Sequence, residues 1–241
     1  MSTTVPKLGV LQLKTTFPRP PGDVGNALSW PMPVIIRIVE EATGDIVRGG
    51  TWGPAMVDGF VREGKKMMEE GCVAFVTSCG FLATMHPEIV HRLPSMGTSS
   101  LIQVGWLQKC FYPGEETPVG VVTFQKSALT KKHFISVGAD PETPYFGLSE
   151  SEDPKEAVFK AVLECRVPYD YEGMEKDVVG AALELVKAYP SVKAIVMECT
   201  NMPPFSHAVA KATGRKVWDI LTLGKWLYDG ATPRDYRGLA N

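Results

Sequence analysis

Short, uninterrupted apolar runs alternate along this chain with amphipathic helical patterns, and that alternation restricts it to a small set of folds. LGVLQL at 8–13, CVAFVTS at 72–78, SSLIQVGWL at 99–107, VGVVTF at 119–124 and VKAIVME at 192–198 read as strands. They lack the polar and apolar alternation of a half-exposed strand, so they suit strands covered on both faces. Between them, the pattern at 56–71 places Val57, Phe60, Val61, Met67 and Met68 near one helix face and stops at Gly71. A second helix is expected from Asp153 as N-cap with Pro154 behind it, and a third over 175–190, ended by Pro190. Strands alternating with such helices predict an α/β fold with mostly parallel sheets.

The segment FYPGEETP at 111–118 gathers turn residues and charge between two apolar stretches and divides the chain nearly in half. Each half has an opening strand, LGVLQL or VGVVTF, and a later strand that runs into a cysteine, VAFVTSC or AIVMEC. A duplicated topology follows. The expected division is 1–114 plus 212–241 for a first α/β domain and 115–211 for a second. The proline-rich stretch at 15–34 reads as a long turn-rich loop, a kind that is often functional. Within it, Arg19, Asp23 and Asn26 either reach a ligand or hydrogen-bond within the loop.

Charge excludes one class of partner. With 25 Lys and Arg against 27 Asp and Glu, the net charge of -2 gives no footprint for a polyanion, so nucleic acid is not expected. No apolar run is long enough to span a bilayer and no signal-peptide pattern opens the chain, so a cytoplasmic, membrane-free protein is expected. No dinucleotide or phosphate loop, His-Glu-x-x-His or Cys-x-x-Cys occurs; no cofactor and no metal is expected. Five widely spaced cysteines, at 72, 79, 110, 165 and 199, suit reduced thiols rather than a disulfide framework.

Two of those thiols stand apart. Ligands of open α/β sheets bind beyond the carboxyl ends of the strands, where Cys79 in TSCGFL and Cys199 in MECTNMPP both fall. A following helix N-terminus would lower a thiol from ~8.5 toward ~7, making it a proton acceptor at neutral pH. Two such thiols facing each other across a cleft would satisfy racemisation, which needs a base on one face of a carbon acid and its conjugate acid on the other. Ser78, Gly80, Thr200 and Asn201 would donate to a substrate carboxylate. Gln12 and Thr123 occupy the ligand-side ends of the opening strands, with Gln125 just beyond. Trp30 and Phe205 are candidates for pocket walls or core, and His86 and His207 carry no expected chemistry. For Cys72, Cys110 and Cys165 the structural reading is preferred.

LGVLQL followed by FPRPPGDVGN, TSCGFL and MECTNMPP, in that order, resembles the aspartate/glutamate racemase superfamily, which also holds hydantoin racemases, maleate isomerases and arylmalonate decarboxylases. The resemblance implies two similar Rossmann or flavodoxin-like domains related by a pseudo-twofold, with the active site in the cleft between them and no pyridoxal phosphate. It implies one catalytic cysteine per domain, Cys79 and Cys199, with Gly80, Phe81, Thr200 and Asn201 around the carboxylate. Arylmalonate decarboxylases keep only the second cysteine, so Cys79 favours a two-base isomerase, a racemase or epimerase of an amino acid or related carboxylate. Gln12, Lys14 and Thr15, Gly80 and Phe81 after the first cysteine, and Asn201 depart from the pattern of amino-acid racemases. The alternatives are cis-trans isomerisation, hydantoin racemisation, decarboxylation, or a binding protein without turnover. A homo-oligomer is left open.

Overall fold

The computed structural model describes residues 5–148 and 157–237. Eight strands form two sheets of four. In the first, β1 (Lys7–Leu13), β2 (Val34–Val39), β3 (Cys72–Thr77) and β4 (Met96–Gly97) lie in the order β2-β1-β3-β4. In the second, β5 (Val119–Thr123), β6 (Tyr145–Gly147), β7 (Ala194–Met197) and β8 (Lys216–Trp218) lie in the order β6-β5-β7-β8. Every pairing is parallel. The shared order makes β1 the counterpart of β5 and β3 the counterpart of β7, which is the duplicated α/β architecture expected from the sequence.

The central strands are buried nearly throughout, which is why they read as continuous apolar runs. The Pro54–Glu69 helix packs Val57, Phe60, Val61 and Met67 inward, but Met68 is exposed. A helix over Tyr171–Ala188 matches the third expected pattern, with Asp170 capping Gly173 N–H. The expected start at Asp153 lies outside the described residues, and a helix is found over Val158–Leu163. Segment 99–107 is a correction: Ile102–Trp106 is helical, with Ser99 Oγ accepting from Leu101 N–H at its start. Gly105 there lies against the Gly138 carbonyl, so close that a Cβ would collide with it. An apolar run of this length does not distinguish strand from buried helix, and helix-to-backbone packing decides it.

The segment 212–241 is divided between the sheets. Lys216–Trp218 pairs with β7, while the Ile220–Ala231 helix packs chiefly on β3. Asp219 sits at the junction. Its carboxylate accepts from Thr222 N–H at 3.0 Å and the Ser206 hydroxyl at 2.6 Å, and its carbonyl accepts from Gln103 Nε2 at 2.9 Å. Asp219→Ala removes a helix cap and leaves the part-buried Thr222 N–H and Ser206 hydroxyl without their acceptor, so a loss of about 2 kcal/mol is expected in urea denaturation.

Candidate active site

The carboxyl ends of the two sheets face one cavity of about 560 Å³. Pairing fixes its floor. On one side Ser78 N–H donates to the Leu11 carbonyl, and Leu13 N–H donates to Ser78 Oγ at 2.8 Å. On the other, Glu198 N–H donates to the Val122 carbonyl, and Phe124 N–H donates to Glu198 Oε2 at 3.3 Å. Glu198 is thus the second-half counterpart of Ser78. Each residue pins the end of the neighbouring strand and delivers the next residue, Cys79 or Cys199, to the cavity wall.

Of the residues singled out in the sequence, Ser78, Cys79, Gly80, Phe81, Cys199, Thr200 and Asn201 line this cavity. Thr123 lies behind the wall, its hydroxyl donating to Glu198 Oε2 at 2.9 Å. Gln12 is also behind the wall, packed against Gly25. From the proline-rich loop, Arg19 lines the cavity; Asp23 pairs with Arg19 at 2.7 Å and accepts from Asn201 Nδ2 at 2.7 Å. Asn26 turns back onto the loop, donating to the Arg19 carbonyl. Trp30 and Phe205 are core residues. His86 bonds Thr98, His207 is exposed, and Gln125 donates to Ser127.

The expected lowering of the two thiols is not found. Burial and the nearby Glu198 charge push Cys79 up to about 12 and Cys199 well above its ordinary value. The turn after Cys79 is a 3-10 helix, Gly80–Met85, and the Phe81 and Leu82 N–H groups favour the thiolate too weakly to offset desolvation. Arg48, ion-paired to Asp45 and placed over the Phe124 ring at 5.5 Å, also favours the Cys79 thiolate. The Cys199 thiol donates to Asn201 Oδ1 at 3.6 Å.

Sequence reading missed Arg48 and Glu198. Glu198 is fully buried and burial raises its carboxyl to about 7. Oε2 is held by Thr123 and Phe124, whereas Oε1 has no hydrogen-bond partner among the described residues. Oε1 faces Gly80, where a Cβ would collide with it. The signal was available in MEC, where a charged residue ends an apolar strand directly before the cysteine.

A carboxyl raised in the folded state contributes stability at low pH that is lost as pH rises from its unfolded value, about 4.5, through about 7. Glu198→Gln, which carries no such charge, is therefore expected to melt above the parent protein at pH 8. The difference should shrink toward zero as pH falls to about 4, checked by thermal denaturation across that range.

Solved structures share this architecture. Arylmalonate decarboxylase aligns over 95% of this chain and 94% of its own at a TM-score of 0.58 and 13% identity. Allantoin racemase from Klebsiella pneumoniae aligns over 93% and 86% at 0.58 and 12% identity. An Asp/Glu racemase structure from Yersinia pestis aligns over 94% and 99% at 0.56 and 10% identity. The chain shares the two-sheet fold of these racemases and of this decarboxylase. No protein-family model matches the chain.

Curated relatives correct the expected activity. Dimethylsulfoniopropionate lyase from Durusdinium sp. clade D is 28% identical over 96% of this chain and 77% of its own. Dimethylsulfoniopropionate lyase 7 from Emiliania huxleyi is 28% identical over 90% and 64%, so the chain spans less than two thirds of that relative. These relatives are lyases, and the expected isomerase of the racemase type is overturned. Two thiols across a cleft satisfied racemisation without requiring it, because elimination also begins with removal of a proton next to a carboxylate.

Among the described residues no group of three or more His, Cys, Asp or Glu is placed to hold a metal ion. No helix among them is long and apolar enough to cross a membrane.

Proposed function

We propose that this protein is a carbon–sulfur lyase that cleaves dimethylsulfoniopropionate to dimethyl sulfide and acrylate. The observation that carries the reading is similarity to lyases of that name across nine tenths of the chain or more. The chemistry of the cavity supports it. A base removes the proton α to the carboxylate, the α,β double bond forms, and the C–S bond breaks with its electron pair leaving on sulfur. Dimethyl sulfide departs neutral and needs no proton, so one base suffices where racemisation needs two.

Cys79 is that base in this reading. Burial and the Glu198 charge oppose both thiolates, but two backbone N–H groups and the Arg48 charge favour that of Cys79, whereas Cys199 receives help from the Asn201 N–H alone and is further opposed by Cys79 and Asp23. Cys199 stays protonated. Arg48 supplies a cation for the substrate carboxylate, and Thr200 Oγ1, buried and without a hydrogen-bond partner among the described residues, supplies a donor at the cavity wall. Headspace gas chromatography of the protein incubated with dimethylsulfoniopropionate, with acrylate measured in the same samples, tests the reading. Equimolar release of both products is expected. No sulfide above a buffer control overturns it.

A further inference from the structure

We propose that Asp23 is a positioning residue that decides which thiol can be the base: it fixes the orientation of the Asn201 amide, and that amide keeps Cys199 a thiol. The buried Asn201 side chain has a donor at one end and an acceptor at the other, and both are engaged. Nδ2 donates to Asp23 Oδ2 at 2.7 Å. A carboxylate has no proton to give, so turning the amide round would set oxygen against oxygen. Oδ1 is thereby committed to Cys199 Sγ at 3.6 Å, and because a carbonyl oxygen only accepts, the sulfur must carry the proton. A thiolate there would lose the bond and face the lone pairs of the amide oxygen.

The proline-rich loop is built to hold Asp23 in this role. Its Oδ1 accepts from Arg19 Nη1 at 2.7 Å and from Gly25 N–H at 2.8 Å, which leaves Oδ2 for Asn201. Arg19 in turn donates to Thr15 Oγ1 at 2.8 Å and lies 4.4 Å over the Phe17 ring. Beside Asp23, Val24 N–H donates to the Thr200 carbonyl at 3.4 Å, so main chain as well as side chains set the loop against the turn. The first half has no such device. Two residues after Cys79 stands Phe81, whose side chain offers neither donor nor acceptor, where Asn201 stands two residues after Cys199. Racemisation needs both thiols to ionise in turn, so a protein with one of them locked is confined to one-base chemistry. The inference rests on the lyase reading for the reaction it serves, but not for its test.

Asp23→Asn is nearly isosteric. Its amide oxygen can keep the bonds from Arg19 and Gly25, which sets its Nδ2 against Asn201; the Asn201 amide must then turn, and an N–H comes to face Cys199. Glu198, Cys79 and Asp23 all oppose the Cys199 thiolate, and Lys14, Arg19, Asp45, Arg48, Glu164 and Cys165 line the same cavity; of these the substitution changes Asp23 alone. The experiment is iodoacetamide alkylation of the whole protein from about pH 7 to 11, with modification at Cys199 followed by peptide mass spectrometry. A looser turn speeds alkylation at every pH, whereas a change in ionisation moves the midpoint. In Asp23→Asn the midpoint should fall by at least about one pH unit, equivalent to roughly 10-fold faster alkylation below it. A smaller, absent or opposite shift overturns the proposal.

Loss of the Asp23 charge would by itself lower the midpoint, so the same substitution is made in an Asn201→Ala background, where no amide can turn. There the fall should be at most half as large; a larger one assigns the effect to charge and overturns the proposal. Should Asp23→Asn fail to fold, Asn201→Ala alone decides. Deleting the acceptor should lower the Cys199 midpoint, and an unmoved or raised one overturns the proposal, because the route from Asp23 to the sulfur runs through that amide. Failure of the lyase reading is distinguishable: the parent protein then releases no dimethyl sulfide while the midpoint shifts persist.

Discussion

Cys79→Ser is expected to lower dimethyl sulfide release at least about 1,000-fold while leaving the melting temperature within a few degrees. The substitution is nearly isosteric and keeps a polar group at a partly exposed cavity position. A serine hydroxyl, however, ionises far less readily than a thiol, so the base is lost. Cys199→Ser should cost far less, about 10- to 100-fold, because a hydroxyl still donates to Asn201 Oδ1 and the position keeps its proton throughout. The inequality is the decisive quantity. Equal losses in headspace assays at saturating substrate would mean that both thiols carry protons in the reaction, and a larger loss at Cys199 would reassign the base.

The second large effect is expected from a single methyl group. In Gly80→Ala the new Cβ would fall inside contact distance of both the Glu198 carbonyl oxygen and Glu198 Oε1. The carbonyl is backbone, held where β7 ends by the bond from Glu198 N–H to Val122, so it cannot yield cheaply. The two turns that carry the cysteines must therefore separate. A destabilisation of about 1–3 kcal/mol in urea is expected from overpacking, and at least about 100-fold lower activity because the cysteines no longer share one cavity. Full activity in the alanine variant would show that the close approach of these turns is dispensable.

Much of the architecture was legible because burial on both faces writes itself as apolar runs. β1, β3, β5 and β7 were found within one or two residues for that reason. β2 was missed, since VIIRIV follows directly on a proline-rich loop and carries Arg37, a residue suited to the sheet edge it occupies. β4 and β8, two and three residues long, have no periodicity to read. At the site, the cysteines and their small polar neighbours were found from their place at strand ends. Arg48 was not, because it lies on the short helix Gly44–Arg48, distant in sequence from either cysteine motif. Glu198 was overlooked for a different reason. Its significance lies in burial without a second partner, which no local pattern records. The reaction class escaped because residue symmetry does not fix chemical symmetry: two similar thiols suggested two similar roles, and their unlike surroundings argue otherwise.

The bond from Asn201 to Asp23 joins residues 178 apart in sequence and ties the second cysteine's turn to the proline-rich loop, which Arg19 in turn braces. Gly44, Asp45 and Arg48 line the same cavity as Leu163, Glu164 and Cys165, and Thr16 makes a long contact of 3.6 Å with Cys165. In the lyase reading one product is neutral and the other an anion, and Arg48 on the cavity wall holds back only the anion, so its departure is expected to be the slower.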